Sequence, residues 1–519
     1  MPRRFITAFA ILLALVFLVH DSRLSALPQQ AAPVPAGSLQ LTASRAEALL
    51  DARARRLNYV PGEVLVRFKP GMTPAQQQRA LLGLRSRPSV DGLRWLPGGL
   101  AVLRDETQPD AHILAEQLSE QPEVAAAEPN YLAHVPISRS RALRTVSFPR
   151  LFGTPNDPDF GTYQWNLQLI DMPRAWDINP GGSSNLIVAT IDTGVTTVKQ
   201  SFTFPLFTGS KIENVSLRFD VSPDLPASRI VSPHDFVFMP SGGPVLDFDG
   251  HGTHVSSTIA EATNNGLLGA GMAYNVRLMP VKVCVGYWEL MIARAQAGQT
   301  GFLPDDAADC PFDAIISGIR YAADNGAKVI NISLGGEDPS DEMRNAVTYA
   351  VQHGAFVAMA MGNSYDLGNP IEYPSFYAAS IDGAMSVAAV TKFSNHASYS
   401  SSGSYCEIAA PGGDVNDRSG LDFGLVWQTT LLFPDQDPTI LVPRFDRYDL
   451  IGYQGTSMAS PHVAGLAALA MSQGVTDPAA VEALIKQTAK DLGQPGRDDL
   501  FGFGLIQPRA ALFGHGIIK

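Results

Sequence analysis

The chain has 519 residues, 45% hydrophobic and 17% charged, the balance of a protein with a sizeable core rather than of a disordered chain. That length exceeds one ordinary domain, so one large domain with smaller companions is expected. The formal net charge of −12 argues against nucleic acid as a partner, because that would need a basic surface.

In chain order, Arg3 and Arg4 precede the apolar run "FITAFAILLALVFLV", and the small residues Ser25 and Ala26 follow it. This is the layout of a secretory signal peptide over residues 1–26, too short for a comfortable membrane span. The expected product is secreted and extracellular, with no membrane association after signal cleavage. Residues 27–57 open with "LPQQAAPVPAGSLQ" and read as a linker. Residues 58–136 then alternate strand and helix patterns in β-α-β-α-β order, the makings of a small α+β, ferredoxin-like unit. The Arg-rich stretch 137–150, "ISRSRALRTVSFPR", reads as an exposed hinge where proteolysis concentrates.

The body, residues 151–519, carries the short apolar runs "NLIVATID", "VRLMPVKV", "AKVINISL", "AFVAMAMG" and "AMSVAAVT", separated by helical patterns. Near-continuous apolar strands between helices predict a doubly wound, mainly parallel α/β sheet covered on both faces. In such sheets active sites gather at the carboxyl ends of strands. Charge divides along the same boundary: about 18 basic and about 12 acidic residues precede Leu151, against about 20 and about 38 after it. A basic front and an acidic body suit two parts that attract and later separate. Three cysteines permit one disulfide; Cys284 and Cys310 flank an apparent insertion and are the first choice, with Cys406 free, although sequence leaves the pairing open.

Three motifs carry chemistry. "VATIDTGV" ends a strand pattern in Asp192, "DGHGTHVSSTIA" sets His251 between glycines, and "GTSMASPH" sets Ser457 at a helix entrance. A serine hydroxyl needs a base to take its proton, and that base needs a carboxylate to hold its tautomer. Each motif alone is weak, since a serine at a helix start is usually an N-cap. Pro461 is read as sitting early in the helix, where its missing N–H costs little.

With this chain order on this fold pattern, the body resembles the subtilisin-like serine peptidases, over about residues 160–512. The resemblance implies Asp192, His251 and Ser457 as the catalytic triad. It implies Asn363 of "AMAMGNS" as the oxyanion donor, and Ser333, Leu334 and Gly335 of "VINISLGG" as the edge that pairs with an extended peptide. Glu372 falls at the floor of the pocket for the residue before the cut bond, where a carboxylate would favour Lys or Arg. The front unit resembles an inhibitor-like propeptide, which makes the chain an autoprocessed zymogen and the propeptide its intramolecular inhibitor. A structural calcium is implied at Gln164 and Asn265, although "TTVKQSFTFP" lacks the carboxylate that relatives carry after the triad Asp. No cofactor is expected for the chemistry, and the expected oligomeric state is monomeric.

Overall fold

The computed structural model describes residues 32–33, 41–135, 139–140, 154–238, 243–303, 308–417, 424–432 and 443–515. The expected signal segment 1–26 and most of the hinge 137–150 lie outside the described residues. Among the described residues no helix is long and apolar enough to cross a membrane.

The later part of the expected linker is in fact a helix, α1 (Ala43–Arg55), capped by the Thr42 side chain, which accepts the Arg45 N–H. Its Leu49 and Ala52 are fully buried. Composition around it reads as linker because only one stripe of the helix is apolar and the preceding residues are Pro-rich. The front unit proper contains β1 (Tyr59–Phe68), α2 (Pro74–Leu81), β2 (Leu100–Arg104), α3 (Ala111–Ser119) and β3 (Val124–Val135). Its antiparallel sheet has β1 at the centre, between β2 and β3. Thr73 and Gln76 form a reciprocal capping box at the start of α2, which ties off the unpaired N–H groups of that end.

The body is built on a seven-stranded sheet. Its strands used below are β4 (Ile187–Asp192), β7 (Arg277–Lys282), β9 (Val329–Ile332), β10 (Phe356–Ala360), β11 (Ala384–Val390) and β12 (Ile408–Pro411). The two-residue strand His234–Asp235 completes it, in the order His234–Asp235, β7, β4, β9, β10, β11, β12. Every pairing is parallel. All four residues of β9 and all seven of β11 are buried, which accounts for apolar runs without alternation. A hairpin of β5 (Gln200–Phe207) and β6 (Ile212–Phe219) follows β4; its alternating burial on β5 marks one covered face. Helices α4 (His251–Ala260), α5 (Tyr287–Gln296), α6 (Phe312–Asp324), α7 (Asp341–Gln352) and α8 (Thr456–Ser472) connect or cover the sheet. Helix α8 is buried on every side from Thr456 to Met471, as a helix apolar all round must be.

The two stretches expected as insertions contribute structure. The first holds α5, whose Leu290, Met291 and Ile292 join the main core, and then β8 (Ala308–Pro311). Cys284 and Cys310 are bonded and close its base; Cys406 is free and buried. The second supplies β13 (Val426–Leu431), antiparallel to β14 (Tyr448–Tyr453), so that α8 is entered from a paired strand.

The front unit and the body share a sheet. Strand β8 of the body pairs antiparallel with β3 of the front unit, from Ala308 opposite Val135 to Pro311 opposite Leu132. Charges meet across the same face: Arg45 and Arg94 reach Asp313 at 2.7 and 2.5 Å, and Arg53 reaches Asp309 at 2.6 Å. Arg67 grips Glu342 through both carboxylate oxygens. Asp313 is fully buried; burial opposes its ionisation, but Arg45, Arg94 and Asn130 outweigh it and hold the carboxyl well below the usual range.

Candidate active site

Four loops converge at the carboxyl ends of β4, β9 and β10 and at the entrance to α8. Asp192 is the last residue of β4 and His251 the first of α4. His251 Nδ1 lies 2.7 Å from Asp192 Oδ1, with both side chains buried. In the tautomer whose Nδ1–H donates to Asp192, Nε2 is left as the acceptor. Nε2 is itself buried, with no hydrogen-bond partner among the described residues. Burial alone would lower the pKa of His251; the charge and hydrogen bond of Asp192, with Asp249 and Asp247 behind, outweigh it and raise the pKa above its ordinary value. Asp247 Oδ1 accepts the Asp249 and Gly250 N–H groups and Asp249 Oδ1 accepts that of His251, so the turn into α4 is fixed by its own carboxylates.

His254, one turn along, is a different kind of residue. Its Nε2 faces the Val426 and Ile451 carbonyls at 3.1 and 3.2 Å, and its ring stacks on Tyr453 at 4.3 Å. Burial first, then the neighbouring His251, hold its pKa down at about 3. It is a neutral core histidine.

Ser457 stands in the first turn of α8, entered through Gly455 at φ +149°, a value side chains rarely tolerate. Its hydroxyl donates to the Ser333 carbonyl at 3.0 Å, and the Ser333 hydroxyl donates back to the Ser457 carbonyl at 2.9 Å. This exchange corrects the reading of Pro461. The helix begins at Thr456, so Pro461 is its sixth residue and removes an interior N–H, the one that would have met the Ser457 carbonyl. Ser333 supplies the missing donor.

Asn363 lies beyond β10, close to that entrance. Its Oδ1 accepts the Thr456 N–H at 2.9 Å and the Thr456 hydroxyl at 3.0 Å. The carboxamide is thereby oriented with its NH2 available on the side of Gly455 and Ser457. Ser457, Asn363, Leu334, Gly335 and Glu372 line one cavity. His134 of the front unit lines it too, and pairs with Gly335 through N–H to carbonyl at 2.9 Å. The end of β3 thus lies as an extra strand between Gly335 and β8. On the far side, Arg139 and Ser140 pair with Tyr453 and Gly452 of β14.

Glu372 accepts the Asn363 N–H at 3.1 Å and the Ser401 hydroxyl at 3.0 Å. Its carboxylate stands between two glycine backbones: a Cβ at Gly362 would meet its oxygens at 2.2 and 2.5 Å, and one at Gly335 would lie 3.5 Å away. Burial pushes its pKa up, against the pull of Ser364, Ser401 and the Asn363 N–H.

Gln164 and Asn265 do not meet. Gln164 Oε1 accepts the Ala270 N–H at 2.8 Å, while its NH2 faces the Ala270 carbonyl and Gln428. Asn265 Oδ1 accepts the Leu267 N–H at 2.9 Å and its NH2 faces Asp224. Each amide oxygen accepts a backbone N–H, and no hydrogen bond among the described residues joins the two side chains. Among the described residues no group of three or more acidic, His or Cys side chains is arranged to hold a metal.

The profile of the subtilase family matches residues 183–504, more than half of the chain. The chain belongs to the subtilase family. A profile of the fervidolysin N-terminal prodomain matches residues 46–130, which takes in most of α1 as well as the front sheet. A thermophilic serine proteinase of Bacillus sp. (strain AK1) is 31% identical to this subtilase over 450 residues, covering 86% of each chain. Thermitase of Thermoactinomyces vulgaris is 32% identical over 347 residues, covering 66% of this chain and 94% of its own. The crystal structure of fervidolysin from Fervidobacterium pennivorans shares the fold, with a TM-score of 0.61 at 22% identity, covering 88% of this chain and 61% of that one. This subtilase is therefore a serine endopeptidase carrying an N-terminal prodomain.

Sequence reading missed the acidic receptors Asp309 and Asp313 and the arginines of α1 that meet them. The charge split was the signal that could have found them.

Proposed function

We propose that the chain is an exported precursor that matures by its own proteolysis and hydrolyses peptide bonds through Ser457. The observation that carries the reading is the buried pair His251 Nδ1–Asp192, which leaves Nε2 as a base without a partner among the described residues. Rotation of the Ser457 hydroxyl away from the Ser333 carbonyl gives its proton to Nε2 and its oxygen to the substrate carbonyl. Asp192 stabilises the imidazolium, which next protonates the leaving amine; water then releases the acyl group by the same steps in reverse. Negative charge on the carbonyl oxygen meets the Asn363 NH2, the Ser457 N–H and the positive end of α8. These steps use only this chain's side chains and backbone.

The peptide would lie where β3 ends now, paired with Gly335, which makes the front unit an inhibitor occupying the substrate path. Chain positioned at Gly335 and again at Tyr453 supports a maturation cut between Val135 and Arg150, toward the Val135 side. The carboxylate of Glu372 between its two glycine backbones supports Lys or Arg before the cut bond. Two comparisons test these readings. Expressed side by side, the parent should release its front unit and degrade casein, whereas Ser457→Ala should keep the front unit and leave casein intact; a processed mutant would refute self-maturation. On peptides cleaved after Lys, Phe or Leu, the mature enzyme should prefer Lys by at least about tenfold, and Glu372→Gln should remove that preference. Indifference to the substitution would exclude Glu372 from specificity.

A further inference from the structure

Lys282 and Glu289 form an ion pair at 2.8 Å in which both side chains are wholly buried. Isolated buried pairs contribute little to stability, because desolvation offsets their attraction. Their location is more informative. Lys282 is the last residue of β7 and stands in register with Asp192, the last residue of β4. Its ammonium also donates to the Thr193 carbonyl at 2.6 Å. Thr193 and Gly194 form the turn that leaves Asp192, and α4 rests on that turn. The Gly252 N–H donates to the Thr193 hydroxyl at 2.8 Å, and a Cβ at Gly252 would come within 2.4 Å of the Gly194 carbonyl. One peptide turn therefore touches the residue after Asp192 and the residue after His251, and Lys282 holds its carbonyl.

Glu289 comes from α5, inside the segment closed by Cys284 and Cys310. Its second oxygen accepts the Gly286 N–H at 2.6 Å, which fixes the carboxylate at the start of the helix. The inserted helix thus meets the ammonium that holds the turn after Asp192. Asp235 and Asp247 add their fields to that of Glu289, and together they keep Lys282 protonated despite its burial.

We propose that Lys282 and Glu289 are a positioning pair: Lys282 holds the Thr193–Gly194 turn that sets the Asp192–His251 geometry, and Glu289 of the inserted helix holds Lys282. Neither residue touches substrate. The proposal rests on Asp192 and His251 acting as acid and base.

The test compares the mature parent with Lys282→Met, Lys282→Arg and the apolar double variant Lys282→Met/Glu289→Leu. Working sites are counted by titration with an irreversible serine-directed reagent, so that unfolded protein does not enter the rates. Lys282→Met should lower kcat by about tenfold or more at unchanged KM, the effect of misaligned catalytic groups in an intact cleft. Lys282→Arg, which can still donate to the Thr193 carbonyl, should recover part of that loss. The downfield proton signal of the His251 Nδ1–H bond should shift in Lys282→Met and return in Lys282→Arg. If Lys282→Met does not fold, the double variant decides, since it leaves no charge unpaired and should show the same fall in kcat. Parental kcat in either variant, with only a lowered melting temperature, would overturn the proposal, as would a change confined to KM. Absence of activity in the parent itself would instead refute the acid and base roles.

Discussion

At the scale of single residues, the entrance of α8 shows how local rules are broken for a site. A proline at the sixth helical position weakens a helix, and the glycine that caps it stands at φ +149°, yet each leaves a group where it is useful. Pro461 frees the Ser457 carbonyl for the Ser333 hydroxyl, and Gly455 lets the chain approach Asn363 closely. Asn363 is fixed through its oxygen by Thr456, so its NH2 has little freedom. Replacing it with Ala should lower kcat by about 100-fold to 1,000-fold with KM nearly unchanged; losing one such donor costs roughly 2.7–4 kcal/mol, a magnitude taken from subtilisin itself. Steady-state rates on one peptide decide it; a loss carried mainly by KM would place Asn363 in ground-state binding instead.

At the scale of elements, β3 makes two kinds of contact with the body. Its edge extends to β8 and Gly335, and its side chains reach the starts of two helices. Asn130 Oδ1 accepts the Asp313 N–H at 3.0 Å in the first turn of α6, and Glu128 meets the Ser340 hydroxyl and the Asp341 N–H at the start of α7. Burial raises Glu128, the negative Glu342 and Asp341 add to it, and the hydrogen bonds from Ser340 and Asp341 only partly oppose, leaving its pKa at about 7 against an ordinary 4.5. A carboxyl whose pKa is higher when docked takes up a proton on docking. The contribution of Glu128 to docking is then largest below pH 4.5, weakens as pH rises toward 7 and levels off above it. Inhibition of the processed enzyme by its released front unit should accordingly be about 100-fold weaker at pH 8 than at pH 5. In Glu128→Gln that dependence should vanish. A Glu128→Gln complex with the parental pH profile would locate the effect elsewhere.

At the scale of the whole molecule, a basic front lies on an acidic body through Arg45, Arg53, Arg67 and Arg94, while the Cys284–Cys310 bond holds the receiving strand to β7. The bond closes a loop with a sequence separation of 26, so chain entropy alone assigns it about 3.5 kcal/mol. Cys284→Ser/Cys310→Ser should lose stability of that order in denaturant unfolding, and a reducing agent should destabilise the parent but not the variant. Equal sensitivity of both would mean that the bond is absent in solution.

The order of Asp, His and Ser motifs, the apolar strand runs and the division of charge were legible in the sequence, because hydrophobic period, glycine placement and net charge are local quantities. They sufficed for the fold class and for Asp192, His251, Ser457 and Asn363 as candidates. Tertiary structure alone decided the rest. Helix α1 gains its stability from packing on the body, and the partners of Gln164 and Asn265 were settled by nearby backbone N–H groups competing for the same oxygens. Only folding could bring Ser333 to the carbonyl that Pro461 leaves open, or Lys282 to the turn after Asp192. These last two contacts join residues far apart in the chain, and no local pattern records which of many polar groups a buried one will meet.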